Sequence, residues 1–287
     1  SQDAVDMFFM GNGLAINDPN SGYDETGFSA VENHCYDPDY KDKKTDQNIS
    51  NMYANREPRF YASVVYQGRS WFKKWMNGNP NYIVDFSAGG GNDLSNGDNV
   101  KTGYMLGKFK NRTVNHASGD TQSWKRVSII YRLAEFYLFY AEALNETDPS
   151  NPDIIKYIDM VRERAGIPGY QTMNDNGIKT GIIGNYDKQF DAIQHERYVE
   201  LYCEGQRYFD IRRWMICGDK DRIGCDQTRF YGMNMKGSKD KTPGEPTSYY
   251  TRTKVENRQW TDKLYLYPIH QNVIELANGR IPQNYGW

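Results

Sequence analysis

Between residues 129 and 165 two apolar stripes are separated by a helix-breaking segment, and this pattern constrains the fold more than any other in the chain. Ile129, Leu133, Phe136, Tyr140 and Leu144 recur at three- and four-residue spacing, the period of a helix with one buried face. The run "NETDPSNP" (145–152) interrupts it, and Asp153 stands where an N-cap or first-turn acid belongs. Ile154, Ile155, Ile158, Val161 and Ala165 form the second stripe, and Gly166 and Pro168 follow where a helix should stop. Two helices joined by a short loop make an antiparallel hairpin. Hairpins of this size are the unit of tetratricopeptide-type solenoids, although no clean 34-residue repeat is present. A third helix is expected from about Asp187 through Trp214, an extended piece at "LYLYP" (264–268), and a short helix over 270–277 ended by Gly279.

The first 125 residues read differently. Stretches such as "GNGLAINDPNSGYDE" and "DFSAGGGNDLSNGDN" are rich in Gly, Asn, Asp and Pro, which predicts long loops with short extended pieces such as Arg59–Tyr66. Loops in such quantity wrap a scaffold or carry function. The expected fold class is therefore mainly α: tetratricopeptide-like helical hairpins in an α-α superhelix, with a long loop-rich N-terminal portion and few short strands.

Composition removes several functions. The net charge of -2 and pI near 6.1 provide no field for nucleic acid, which calls for a basic face. A mean hydropathy of -0.85 and the lack of any apolar run near the ~18 residues of a membrane span argue against a spanning helix. Aromatic residues stand out instead, with 23 Tyr, 12 Phe and 6 Trp. So many amphipathic rings in a hydrophilic chain suggest a surface that meets a planar, polar ligand. Cys35, Cys203, Cys217 and Cys225 contain no Cys-x-x-Cys pair, which disfavours structural zinc. Cys217 and Cys225 flank "CGDKDRIGC" and can bridge in an oxidising compartment; inert free thiols are the favoured alternative. The chain opens at Ser1 without Met or signal peptide, as expected of a processed product.

"YVELYCEGQRYFDIRRW" (198–214) concentrates acids, arginines and rings in one run. On a helix Arg197 precedes Glu200, Glu204 precedes Arg207 and Asp210 precedes Arg213 by three, a spacing at which side chains meet. Each acid then has an arginine that favours its ionised form, the reverse of what a general acid needs. The same acids cancel the field that Arg212 and Arg213 would offer a phosphate. "HERYV" (195–199) fails as a zinc motif because Val199 stands where the second His belongs. Gly205 is expected to let another helix approach closely, so the run reads as scaffold.

"ERYVELYCEGQRYFDIRRW" also resembles the signature helix of the SusD/RagB family of outer-membrane nutrient-binding lipoproteins. Four further segments are similar in order. They are "NREPRFYASVVYQG" (55–68, with Glu57 where Asp is usual), "YRLAEFYLFYAEALNE" (131–146), "VRERAGIP" (161–168) and the ending "LYPIHQNVIELANGRIPQNYGW". The ending departs at His270, Tyr285 and Trp287. The match covers the C-terminal part of the family pattern, without its N-terminal tetratricopeptide-like half. The resemblance implies one domain over 1–287, with 1–125 as the ligand-binding portion and 126–287 as helical scaffold. It further implies a non-enzymatic surface lipoprotein of the outer membrane, with its lipidated cysteine before Ser1. Such a protein delivers oligosaccharides, or sometimes peptides, to a SusC-like TonB-dependent transporter. No cofactor, nucleic acid or spanning segment is implied.

Sugars stack their C–H faces on aromatic rings. The richest cluster is Tyr53, Tyr66, Trp71, Trp75 and Tyr82, interleaved with Lys73, Lys74, Asn77, Asn79 and Asn81. Trp71 and Trp75 are four apart, so a short helix would place both on one face. "DPNSGYDE" (18–25) faintly resembles an EF-hand start, but Gly22 replaces a ligand and Ser29 stands where the closing Glu belongs, so it reads as a solvated turn. Two other classes remain open: a glycoside hydrolase using carboxylates from the acidic loops, and a protein-interaction scaffold.

Overall fold

The computed structural model describes residues 1–32, 45–70, 82–95, 97, 99–110, 129–219 and 229–287. In chain order α1 (Gln2–Asp6) leads to β1 (Phe28–Glu32) and β2 (Thr45–Ser50), followed by α2 (Pro58–Ser63), β3 (Val64–Val65) and β4 (Met105–Leu106). The helical part holds α3 (Leu133–Thr147), α4 (Asp153–Arg164), α5 (Tyr170–Asp175), α6 (Tyr186–Glu200) and α7 (Gln206–Arg213). β5 (Tyr231–Met233), β6 (Arg252–Lys254) and α8 (Gln271–Leu276) complete the elements. The strands pair as β1–β2, β3–β4 and β5–β6, each a two-stranded antiparallel sheet. The fold is mainly α with few short strands, as the sequence indicates. Helices do not fill 126–287, however: among the described residues the segment 229–255 returns to short strands and loops.

Two buried clusters lie against α6. Ile154, Ile155, Ile158 and Val161 of α4 meet Leu138 and Ala141 of α3 and Ile193 of α6, as the second stripe requires. The other cluster stacks Phe8, Tyr53, Phe60, Tyr66, Tyr104 and Tyr249 under the loop-rich portion, and Val199 near the end of α6 enters it. One helix thus serves both halves.

The first stripe faces the wrong way. Ile129, Leu133, Phe136 and Tyr140 are exposed and Leu144 is half-buried, while Glu135, Leu138, Ala141, Glu142 and Asn145 are turned inward. Helical period fixes the spacing of a stripe but not the direction it points, and here polar groups hold partners inside. Gln189 donates to Asn145 Oδ1 at 2.7 Å, and Arg213 Nη2 donates to Glu142 at 2.7 Å. Leu133→Asp and Phe136→Glu are accordingly expected to change unfolding free energy by less than about 0.5 kcal/mol. Leu138→Ala is expected to cost about 2–5 kcal/mol in urea unfolding. A larger loss from the first pair than from Leu138→Ala would reverse this orientation.

The single helix expected over 187–214 is two. Asn185 caps α6, its side chain accepting from Lys188 N at 3.1 Å. The chain then turns at Cys203 (φ 59°) and Gly205 (φ 96°) before α7. A Cβ at Gly205 would meet nothing within 4 Å, so its role is the left-handed backbone and not the close helix approach its position suggests. The turn has a visible consequence. Arg197 reaches both Asp210 carboxylate oxygens at 3.0 Å across 13 residues, which a straight helix would hold about 20 Å apart. Further on, a 3₁₀ turn at Asp262–Tyr265 replaces the start of the extended piece expected over 264–268, and extended backbone begins at Leu266.

Candidate ligand-binding cleft

β3 leads into a tight turn at Gln67–Gly68, and the chain returns antiparallel at 83–86. Gly68 N donates to Val84 O and Val84 N to Arg69 O, each at 2.9 Å, while Ser70 bridges to Ile83. Gly68 needs to be glycine: its φ is +83°, and a Cβ would lie 2.7 Å from Ile49 Cγ2. A cleft of about 630 Å³ opens beside this turn, with Phe28, Ile83 and Tyr250 as its apolar wall and Gln67, Asp85, Lys239 and Asp240 as its polar one. Phe28 is 38% exposed and sits edge-on to the buried Tyr250 ring, with centroids 5.3 Å apart.

Asp85 is the organising group of the polar wall. Its Oδ1 accepts from Gln67 Nε2 (2.8 Å), Ser87 N (3.1 Å) and Ser87 Oγ (2.6 Å), and its Oδ2 from Lys239 Nζ (2.8 Å). Burial pushes this carboxyl up, but the bonds from Lys239, Ser87 and Gln67 outweigh it and hold the pKa below the usual aspartate value. An ionised carboxylate with four donors on it accepts hydrogen bonds and does not supply protons. The cleft therefore presents a ring edge, an aliphatic face, an amide, an ammonium and carboxylates, the groups that hold a polyhydroxylated ring. A second cleft, about 660 Å³ beside α5 and α6, has Phe9 and Tyr170 in its lining. Both rings are buried, and Lys179 pairs with Asp18 there at 2.6 Å, so it offers no exposed ring face.

The five rings singled out in the sequence separate. Tyr53 and Tyr66 are fully buried, and their rings stack on each other at 4.7 Å and with Phe60 at 6.2 and 5.4 Å. They face the core and cannot meet a ligand from solvent. That part of the expectation is corrected, because aromatic rings that look adhesive in sequence supply most of the core of this loop-rich portion. Tyr82 is half-buried, its hydroxyl donating to Asn92 Oδ1 at 3.1 Å. Trp71 and Trp75 lie outside the described residues, as does Cys225. Ser70 bridges to Ile83, which lines the cleft, and Tyr82 is the next described residue after Ser70. Phe28, Asp85, Lys239 and Tyr250 were missed by sequence reasoning. Asp85-Phe86-Ser87 does carry a turn signal, since an Asp side chain readily accepts from the backbone two residues on.

The acids of the signature run are occupied by arginines, though chiefly by distant ones. Glu200 receives Arg59 at 2.9 Å, Arg164 at 2.5 Å and also Arg132. Glu204 receives Lys108 at 2.5 Å and Arg132 at 2.7 Å. Of the three local pairs expected, Asp210–Arg213 forms at 2.9 Å, whereas Glu200, Glu204 and Arg197 bond to other elements. Burial raises the Glu200 carboxyl, but the three guanidiniums outweigh it and bring it down to about 2. His195 is half-buried, its ring stacked on Phe9 at 4.1 Å, and burial lowers its pKa to about 4. These groups brace α2, α3, α4, α6 and α7 together.

Helices braced by an ionic network, with a cleft built from loops beside them, make up a mainly helical scaffold. Residues 1–287 match the family model described as the SusD family, and the chain belongs to that family. The SusD-like protein P2 of Formosa agariphila is 37% identical over 82 residues, which are 29% of this chain and 16% of that protein. A SusD-like protein of Bacteroides fragilis superposes with a TM-score of 0.70 at 26% identity, over 100% of this chain and 46% of its own. The solved protein BT4246 superposes with a TM-score of 0.73 at 26% identity, over 99% of this chain and 43% of its own. This chain thus spans less than half the length of these solved relatives.

Proposed function

We propose that this protein binds oligosaccharides at the bacterial cell surface without altering them and passes them to a TonB-dependent transporter of the outer membrane. Family membership supports the reading. The observation that carries it is the Phe28–Ile83–Asp85–Lys239 cleft, whose edge carries the two ends of the segment with Trp71 and Trp75. Phe28, Trp71, Trp75 and Tyr82 supply ring faces and edges to the sugar, while Lys239 and Asp85 read hydroxyls. Hydrolysis is disfavoured because Asp85, the carboxyl that organises the cleft's polar wall, is held ionised and not raised towards the neutral form a general acid needs. Delivery to a transporter and anchoring through a lipid belong to the same proposal.

Affinity electrophoresis against a panel of neutral polysaccharides tests it. Retardation without release of reducing ends is expected for at least one polymer. Phe28→Ala, Trp71→Ala or Trp75→Ala should each weaken retention about 2- to 12-fold, the equivalent of one ring contact of ~0.5–1.5 kcal/mol. Undiminished retention in all three variants would move the site elsewhere, and reducing ends would make the protein a hydrolase.

A further inference from the structure

We propose that the cleft beside α5 and α6 is a second saccharide site, which holds one neutral sugar residue through the hydroxyl of Tyr170 and the ring Nδ1 of His195. This deepens the glycan reading above and rests on it. The cleft lies between the loop that follows α1 and the two helices, and its volume of about 660 Å³ falls within the ~300–1,000 Å³ usual for small-molecule sites.

Two polar groups of the lining are fixed in place and unspent. Asp159 sets the start of α5, its Oδ1 accepting from Tyr170 N at 2.5 Å and its Oδ2 from Gln171 N at 2.9 Å. A Cβ at Gly169 would lie 2.6 Å from the Asp159 carboxyl carbon, so the approach needs glycine. Tyr170 is thereby placed with the Arg162 guanidinium 4.0 Å over its ring, and it is only 6% exposed. Its hydroxyl makes no hydrogen bond among the described residues. Buried hydroxyls normally have a partner, so one left over in the wall of a cleft marks a place for a ligand. His195 is held by its stack on Phe9 and by Nε2, which lies 2.5 Å from the Met7 carbonyl. A carbonyl only accepts, so Nε2 carries the proton. Burial keeps the ring uncharged at neutral pH, with a pKa of about 4. Nδ1 is then a lone-pair acceptor, and it has no partner among the described residues.

The occupant must therefore donate to Nδ1 and exchange a hydrogen bond with a hydroxyl. A carboxylate or sulfate cannot donate, whereas a sugar hydroxyl both donates and accepts. Charge does not select an ion either. Among the described residues of the lining, Lys179 and Asp18 bond each other at 2.6 Å, and Lys188 is matched by Asp191. Leu14, Ile178 and Ile182 supply an aliphatic wall for the C–H face of the sugar. With no ring face exposed, hydrogen bonds carry recognition here, and binding in the millimolar range is expected.

The test titrates the isotope-labelled chain with the methyl glycosides of glucose, galactose, mannose and xylose and follows the imidazole nitrogens by NMR. His195→Gln assigns the His195 pair. Nδ1 of His195 is expected to shift saturably with at least one glycoside, as an acceptor does on gaining a hydrogen bond. Tyr170→Phe keeps the ring under Arg162 and should weaken that glycoside about 2- to 12-fold, the equivalent of one hydrogen bond. Ala15→Trp, at a half-buried residue of the lining, should fill the cleft and abolish the shift. A His195 Nδ1 unmoved by every glycoside, or an affinity unchanged in Tyr170→Phe, overturns the proposal. A response to N-acetylglycine methylamide but to no glycoside also overturns it and makes the cleft a peptide site. Shifts that persist in Phe28→Ala support this site even where polysaccharide retention at the first cleft fails, and shifts lost in that variant overturn it.

Discussion

Arg162→Ala is expected to lower the unfolding free energy by about 3–5 kcal/mol, the range for removing one partner of a buried charged pair. Arg162 is fully buried in α4 and donates in three directions: to Glu196 at 3.2 Å, to the Gly13 carbonyl at 2.7 Å and to the Pro168 carbonyl at 2.9 Å. Its guanidinium lies 4.0 Å over Tyr170 and 4.8 Å over Phe9. Truncation removes these stacking contacts, opens a cavity and leaves two carbonyls without donors in a dry interior. Glu196 would keep Arg59 at 2.5 Å, so the damage centres on the joint between the N-terminal loop and α4. Arg162→Lys keeps the charge but not the fork, and should recover less than half of the loss. Urea unfolding of the three proteins decides the matter. A cost below about 1 kcal/mol for Arg162→Ala would mean the carbonyls find water and the joint is not braced by this residue.

How much of this was legible beforehand depends on how local the cause is. The α3–α4 hairpin could be read because the spacing of Ile154, Ile155, Ile158 and Val161 and the breakers at 145–152 act within one turn of the chain. The outward face of α3 could not, since its inner residues are chosen by Arg213 and Gln189, many residues away. The break between α6 and α7 was hidden because Cys203, a residue that rarely adopts positive φ, shares the turn with Gly205. Pairs at three-residue spacing fit a continuous helix equally well. That the acids would be claimed by arginines was legible from composition, but the partners were not. Arg59 and Glu196 are 137 residues apart, and Lys239 and Asp85 are 154 apart. The cleft follows the same rule: its Asp-x-Ser turn shows in the sequence, while its lysine and its Phe28–Tyr250 wall arrive only with the tertiary fold.

The same network makes stability depend on pH in two windows. Glu200 is buried, and its pKa falls from 4.5 to about 2 in the folded chain. A depressed carboxyl contributes stability that is fully present above its unfolded value, near 4.5, and is lost as pH falls towards 2. At about 1.4 kcal/mol per pKa unit the contribution is roughly 3 kcal/mol. His195 acts earlier. Its folded pKa of about 4 lies below the ordinary 6.5, so protonation favours the unfolded chain and stability falls between pH 6.5 and 4. Because the ring is only half-buried, solvent screening reduces this to about 1–2 kcal/mol. Glu57 opposes the His195 window, since burial raises its pKa above the ordinary 4.5 and makes its ionisation in the fold unfavourable. Unfolding free energies measured from pH 7.5 to 2.5 should therefore fall gently at first and then steeply below pH 4.5. His195→Gln should flatten the first segment and leave the second. Glu200→Gln should be less stable at pH 7, where three guanidiniums lose their carboxylate, yet show a shallower decline below pH 4.5. A Glu200→Gln profile parallel to the wild type down to pH 2.5 would mean that acid sensitivity arises elsewhere in the chain.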